Sequence, residues 1–188
     1  MNSKPLGRPR SADAHRAILD AALALCVRDG YAALTMKAIA AEAGVGRQTV
    51  YRWWPTRGAV LLEALGEIGE TLGAPPATGD PVADLRLFLD RTFALAAKAP
   101  TTDVLLGVLS DAFADPELAR TLRGYIAGRR ALLAQMLERY GADGWKVPVV
   151  TVVDLVFGAM WYRLMYQHGP VGPDLTEEVL VVVASLRA

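Results

Sequence analysis

The 188-residue chain contains a single cysteine, Cys26, which excludes an intrachain disulfide and a cysteine-rich zinc module and fits a reducing compartment. Its two histidines, His15 and His168, are far apart with no thiolates clustered between them, so no structural metal site is expected. The basic N-terminal residues are followed by no apolar stretch of the kind a secretory leader needs. The longest apolar run, residues 147–160, is interrupted by Pro148, Thr151 and Asp154 and is short for a bilayer span of roughly 20 residues. These absences read as a soluble, cytoplasmic chain with no membrane partner. An excess of one charge is also missing, since 20 Lys and Arg balance 20 Asp and Glu. What is present is apolar: 53% of residues are hydrophobic and 21% charged, too apolar a balance for wholesale disorder.

The neutral total hides an asymmetry. Residues 1–60 carry nine positive and four negative side chains, a net of +5, and the remaining 128 carry a net of −5. A basic head on an acidic body points to a small nucleic-acid-binding unit joined to a part with a different task.

Hydrophobic periodicity is helical almost throughout. Ile18, Ala21, Ala22, Leu25 and Cys26 mark one buried face, ended by Gly30. Thr35 is a candidate N-cap for a short second helix that stops at Ala43-Gly44, and a third helix follows as far as Trp54-Pro55. A fourth, from about Arg57, leads to a loop rich in proline and glycine at 73–81. Beyond it, Asp115-Pro116 reads as an N-cap followed by proline at the first position of a long helix, and Asp174 to Glu177 as a capping box for the last one. The expected fold is all-α with about nine helices. Its expected divisions are a basic flexible arm at 1–10, a three-helix head at 11–56, a connecting helix at 57–73 and a helical body at 74–188. Val179 to Val183 has strand propensity but no partner strand, so it too is assigned to helix.

Residues 34–55 carry the chemistry. Two short helices meet at a turn on Gly44, with Ile39, Val45 and Val50 placed to lock them together, which is a helix-turn-helix. Such a motif needs a second helix with side chains that reach base edges and neighbours that hold phosphates. Gly46 lets the helix start approach DNA closely. Arg47 offers a fork to guanine and Gln48 a pair to adenine. Thr35, Met36, Thr49, Tyr51, Arg52, Trp53 and Arg57 complete the expected contact set, and Arg8 and Arg10 of the arm suit an adjacent minor groove.

The Gly7-Arg8-Pro9-Arg10 arm, Ile18 to Ala22, Gly30-Tyr31, Leu34-Thr35, Ile39-Ala40, Ala43-Gly44-Val45, Thr49 to Arg52 and Trp54 to Arg57 together resemble the N-terminal module of TetR family transcriptional regulators. The resemblance is strong over about 8–65 and weaker in the body, at Asp115 to Leu118, Arg129-Arg130 and Met160 to Leu164. It implies an all-helical homodimer whose heads bind successive major grooves of a palindromic operator, usually repressing transcription until a small molecule binds the body. The sequence departs from the family pattern at Gln48, Trp53 and Gly58, and this glycine is expected to weaken the start of the fourth helix.

In the body, Phe88, Phe93, Leu105, Leu109, Phe113, Tyr125, Met136, Phe157, Met160 and Trp161 are compatible with a cavity for a hydrophobic or amphipathic effector, or equally with a filled core. No other cofactor is expected. Arg129 and Arg130 read as a solvated face, with an anchor for an anionic effector as the alternative. Val149, Val152, Val153, Val156, Val179, Val182 and Val183 are assigned to a dimer interface, because two heads on a twofold axis double the recognition of DNA. Asp154 with His168, or Asp111 with Arg129, could be paired for acid-base chemistry, but no nucleophile elbow, phosphate loop or paired-carboxylate motif supports an enzyme.

Overall fold

The computed structural model describes residues 9–71, 75–141 and 144–188. Among them are nine α-helices and no strand: α1 (Pro9–Asp29), α2 (Met36–Glu42), α3 (Arg47–Trp53), α4 (Arg57–Thr71), α5 (Pro81–Ala97), α6 (Thr101–Ala112), α7 (Pro116–Tyr140), α8 (Val149–Tyr166) and α9 (Pro173–Ser185). The all-α reading therefore holds, including the valine-rich segment, which lies in α9.

Local chemistry explains most of the boundaries. Thr35 caps α2 by accepting the Ala38 N–H at 3.1 Å. Asp80 accepts from Val82 and Ala83 ahead of Pro81, and Asp115 accepts from Glu117 and Leu118 ahead of Pro116. The last helix differs from expectation. It begins at Pro173 after Gly172, with no side-chain cap, so Asp174 lies inside its first turn. The first helix begins at Pro9, so Arg10 belongs to it and not to the arm.

The chain forms two compact units that interleave in sequence. One contains residues up to Ile68 together with Asp103–Leu122, and the other Gly69–Thr102 with Arg123–Ala188. The core of the first unit includes Ile18, Ala22, Leu25, Leu34, Ile39 and Val50 of the head and Val60, Leu61 and Leu65 of α4, all nearly or fully buried. The second is built on the packing of α5 with α9 and α8 with α9. Its core includes Leu85, Leu89, Phe93, Leu133, Leu137, Val152, Val156, Leu180 and Val183.

The helix that holds most of the longest apolar run is α8, which extends from Val149 to Tyr166. By length and composition alone, α8 is sufficient to cross a membrane. Val152, Val153, Val156, Phe157, Met160 and Leu164 of this helix are buried, Asp154 pairs with Arg130 and Arg163 with Glu178.

Candidate nucleic-acid interface

The helix-turn-helix is built by α2 and α3 around Gly44, whose φ of +65° is the left-handed conformation that favours glycine. The Val45 N–H reaches back to the Ala40 carbonyl at 3.0 Å, closing the turn. Val50 is completely buried and Trp54 nearly so, which fixes the rotation of α3 and turns Arg47, Gln48, Tyr51 and Arg52 outward. Thr49 and Trp53 flank this face at intermediate exposure.

Ion pairing distinguishes this face from the rest of the head. Arg16 is paired with Glu67, Arg28 with Asp29 and Glu42, and Arg57 with Asp111. Lys37, Arg47 and Arg52 are exposed and have no carboxylate partner among the described residues. Among the described residues, the unpaired positive charge of the head thus lies on α2 and α3, where phosphates can neutralise it. Lys37 was missing from the sequence-based set, although a lysine two residues beyond an N-cap threonine was the available clue.

Two expected contacts are used differently. Met36 is buried, because the first residue of α2 turns into the head. The Arg57 guanidinium donates to the Ala32 and Leu34 carbonyls at 3.0 and 2.7 Å and to Asp111 Oδ2 at 3.1 Å, and lies 4.5 Å from the Tyr31 ring centroid. It binds the molecule to itself. Arg8 lies outside the described residues, as does the side chain of Arg10.

The sequence reading also missed a carboxylate. Glu63 of α4 receives the Trp54 indole N–H at 2.6 Å and lies 2.8 Å from His15 Nε2, tying α1 and the end of α3 to α4. Trp53 joins this cluster, 5.4 Å from the His15 ring and 5.5 Å from Trp54, with the Arg52 guanidinium over its outer face.

The residues expected to contact an effector divide between the units. Leu105, Leu109 and Phe113 belong to the first, whereas Phe88, Phe93, Tyr125, Met136, Phe157, Met160 and Trp161 belong to the second. Phe113 is 87% exposed, because α6 ends one residue before it, so it lines no closed cavity. Met136 borders a recess of about 350 Å³ with Ala77, Gly79, Pro81, Asp84 and Arg139.

Of the residues expected at a dimer interface, Val152, Val153, Val156, Val179 and Val183 are buried within the unit and Val182 is exposed. Val149 is intermediate. The outward apolar groups are Val150, Leu155, Tyr162, Met165 and Tyr166 of α8 and Val181 and Val182 of α9. Leu155, Ala159, Val182 and Leu186 border a groove of about 210 Å³ between these helices, with Arg163 and Glu178 among its polar groups.

Comparison with known proteins gives the same reading. Residues 18–64 match bacterial regulatory proteins of the tetR family, and residues 75–183 match the Tetracyclin repressor-like C-terminal domain. The HTH-type transcriptional regulator YdeS of Bacillus subtilis strain 168 is 26% identical over 179 residues, covering 93% of this chain and 90% of its own. The crystal structure of the TetR family transcription regulator SCO0332 superimposes with a TM-score of 0.75 at 31% identity, covering 94% of this chain and all of that one. That of the Thermus thermophilus repressor FadR, in complex with lauroyl-CoA, gives 0.67 at 24% identity, covering 90% and 93%. With a helix-turn-helix head and a matched C-terminal domain on one chain, the protein belongs to the TetR family of transcriptional regulators.

Proposed function

We propose that the protein is a cytoplasmic, ligand-responsive repressor that binds a palindromic operator as a homodimer and is released by a small hydrophobic or amphipathic effector. The observation that carries the reading is the outward face of α3, where Arg47, Gln48, Tyr51 and Arg52 stand clear of the core. Arg47 and Gln48 are the base readers, and Thr35, Lys37, Thr49, Tyr51 and Arg52 hold phosphate. Trp53 borders the same surface. Gly46 brings the start of α3 close to the duplex, and Arg8 and Arg10 are assigned to the adjacent minor groove.

The exposed apolar residues of α8 and α9 support pairing of two copies, which places two heads on successive half-sites. The lauroyl-CoA bound to the FadR relative supports an amphipathic effector here. The effector acts by population shift, favouring a conformation whose heads fit the two half-sites poorly, and operator binding weakens effector binding by the same factor. Selection of duplexes from a random pool by the ligand-free protein should recover an inverted repeat. Arg47→Glu should abolish that selection while the dimer persists. Sequence-blind binding by the unaltered protein would overturn the reading.

A further inference from the structure

Two helices of the second unit present matching pairs of residues. Tyr125 and Arg129 are four apart on α7, and Phe88 and Thr92 four apart on α5, so each pair shares one helix face. Arg129 Nη2 donates to Thr92 Oγ1 at 3.0 Å, and the guanidinium lies 5.8 Å from the Phe88 ring centroid. A Cβ built on Gly69, near the end of α4, would stand 3.4 Å from Arg129 Nη1. Three helices therefore converge on one guanidinium, with Phe88 and Thr92 buried and Arg129 and Tyr125 partly so. A solvated face, the expectation from sequence, does not describe this environment.

The neighbouring arginine provides the contrast. Arg130 Nη1 lies 2.5 Å from Asp154 Oδ1, so its charge is matched. Arg129 has no carboxylate within ion-pairing distance among the described residues, and its hydrogen-bond partner is a neutral hydroxyl. The phenol of Tyr125 feels both influences, pushed up by burial and pulled back by the Arg129 charge. A partly desolvated guanidinium with spare donors and no counter-charge is suited to a planar or tetrahedral anion, which its fork can hold at two points.

We propose that Arg129 is the anion anchor of the effector site, and that the effector is an amphipathic anion whose carboxylate or phosphate rests on the Arg129 fork while its apolar part packs against Phe88. The assignment rests on the effector reading given above and narrows it to one chemical class. Thr92 orients the fork.

The test titrates the full-length protein with dodecyl phosphate, laurate and 1-dodecanol, each below its aggregation limit, by calorimetry. The unaltered protein should bind at least one anion ten-fold or more tighter than dodecanol, and the two anions distinguish a phosphate head from a carboxylate. Arg129→Gln should remove that advantage and leave dodecanol affinity unchanged, while Arg129→Lys retains part of it. Thr92→Val, which keeps the charge and frees the fork, should cost a few-fold for the anions alone, and it serves should Arg129→Gln fold poorly. Equal affinity for dodecanol and both anions, or full anion affinity in Arg129→Gln, overturns the anchor and leaves the effector reading standing. Failure of all three probes to bind the unaltered protein overturns the amphiphile reading and the anchor together.

Discussion

A basic residue at the start of α4 reads as a phosphate ligand, yet the Arg57 guanidinium is occupied inside the first unit. It shares Asp111 Oδ2 with the Tyr31 hydroxyl, which donates to that oxygen at 2.8 Å. Burial of Tyr31 and the neighbouring Asp111 carboxylate push its phenol well above the ordinary value, against a smaller opposing effect of Arg57. The folded state therefore holds the phenolic proton more tightly than the unfolded chain does. The resulting stability is complete below about pH 10, the unfolded value, and drains away as pH rises towards the folded one. Tyr31→Phe should lose about 1.5–3 kcal/mol at neutral pH, as expected for a hydrogen bond to a charged group, and should flatten the alkaline decline in denaturant-melt stability. Asp84 has the opposite dependence. Burial alone would raise its carboxyl, but the Thr78 hydroxyl and N–H, the Gly79 N–H and the Arg139 charge hold it below the ordinary value. Its contribution is present above the ordinary carboxylate range and is lost as pH falls through the lowered folded value. Acid titration followed by circular dichroism should show a smaller loss of stability between pH 4 and 2 in Asp84→Asn than in the unaltered protein.

At the scale of the element, what the sequence made legible was what lies within a turn of itself. Thr35, Asp115 and Pro116 announce their helices because a cap acts over two or three residues, and the buried stripes follow from periodicity. Gly58 and Gly107 were not legible in this way. Gly58 was expected to weaken α4, but a Cβ there would come within 2.9 Å of Leu118 Cδ1 and 3.2 Å of the Tyr31 hydroxyl. A Cβ on Gly107 would fall 2.2 Å from the Tyr31 ring. Both glycines answer to residues dozens of positions away, which no local pattern records. Gly107→Ala should raise helix propensity within α6 and still destabilise the protein, because the Tyr31 ring is already held by Arg57 and Asp111 and has little freedom to retreat. Overpacking of this kind costs about 1–3 kcal/mol, measurable as a lowered denaturation midpoint. The α8 register was hidden for a different reason. Apolar residues surround the helix, so composition could not say that Val152, Val153 and Val156 turn inward while Leu155, Tyr162 and Tyr166 turn out.

At the scale of the whole molecule, that register decides where a second copy can bind. Five of the seven valines named from sequence, Val152, Val153, Val156, Val179 and Val183, already pack in the core, so charge introduced at Val152 or Val156 would unfold the protein and say nothing about assembly. Leu155 is 49% exposed and borders the groove between α8 and α9, so it can accept a charge in the monomer without loss of the core. In a dimer formed through this face the same charge would be desolvated against apolar partners. Leu155→Glu should therefore leave helicity and melting close to those of a folded monomer while halving the mass measured by sedimentation. Because each head alone makes half of the phosphate and base contacts, operator affinity should fall by at least 100-fold, and its dependence on salt should become shallower as fewer counterions are released. A dimer that survives Leu155→Glu with full operator affinity would place the interface on another surface.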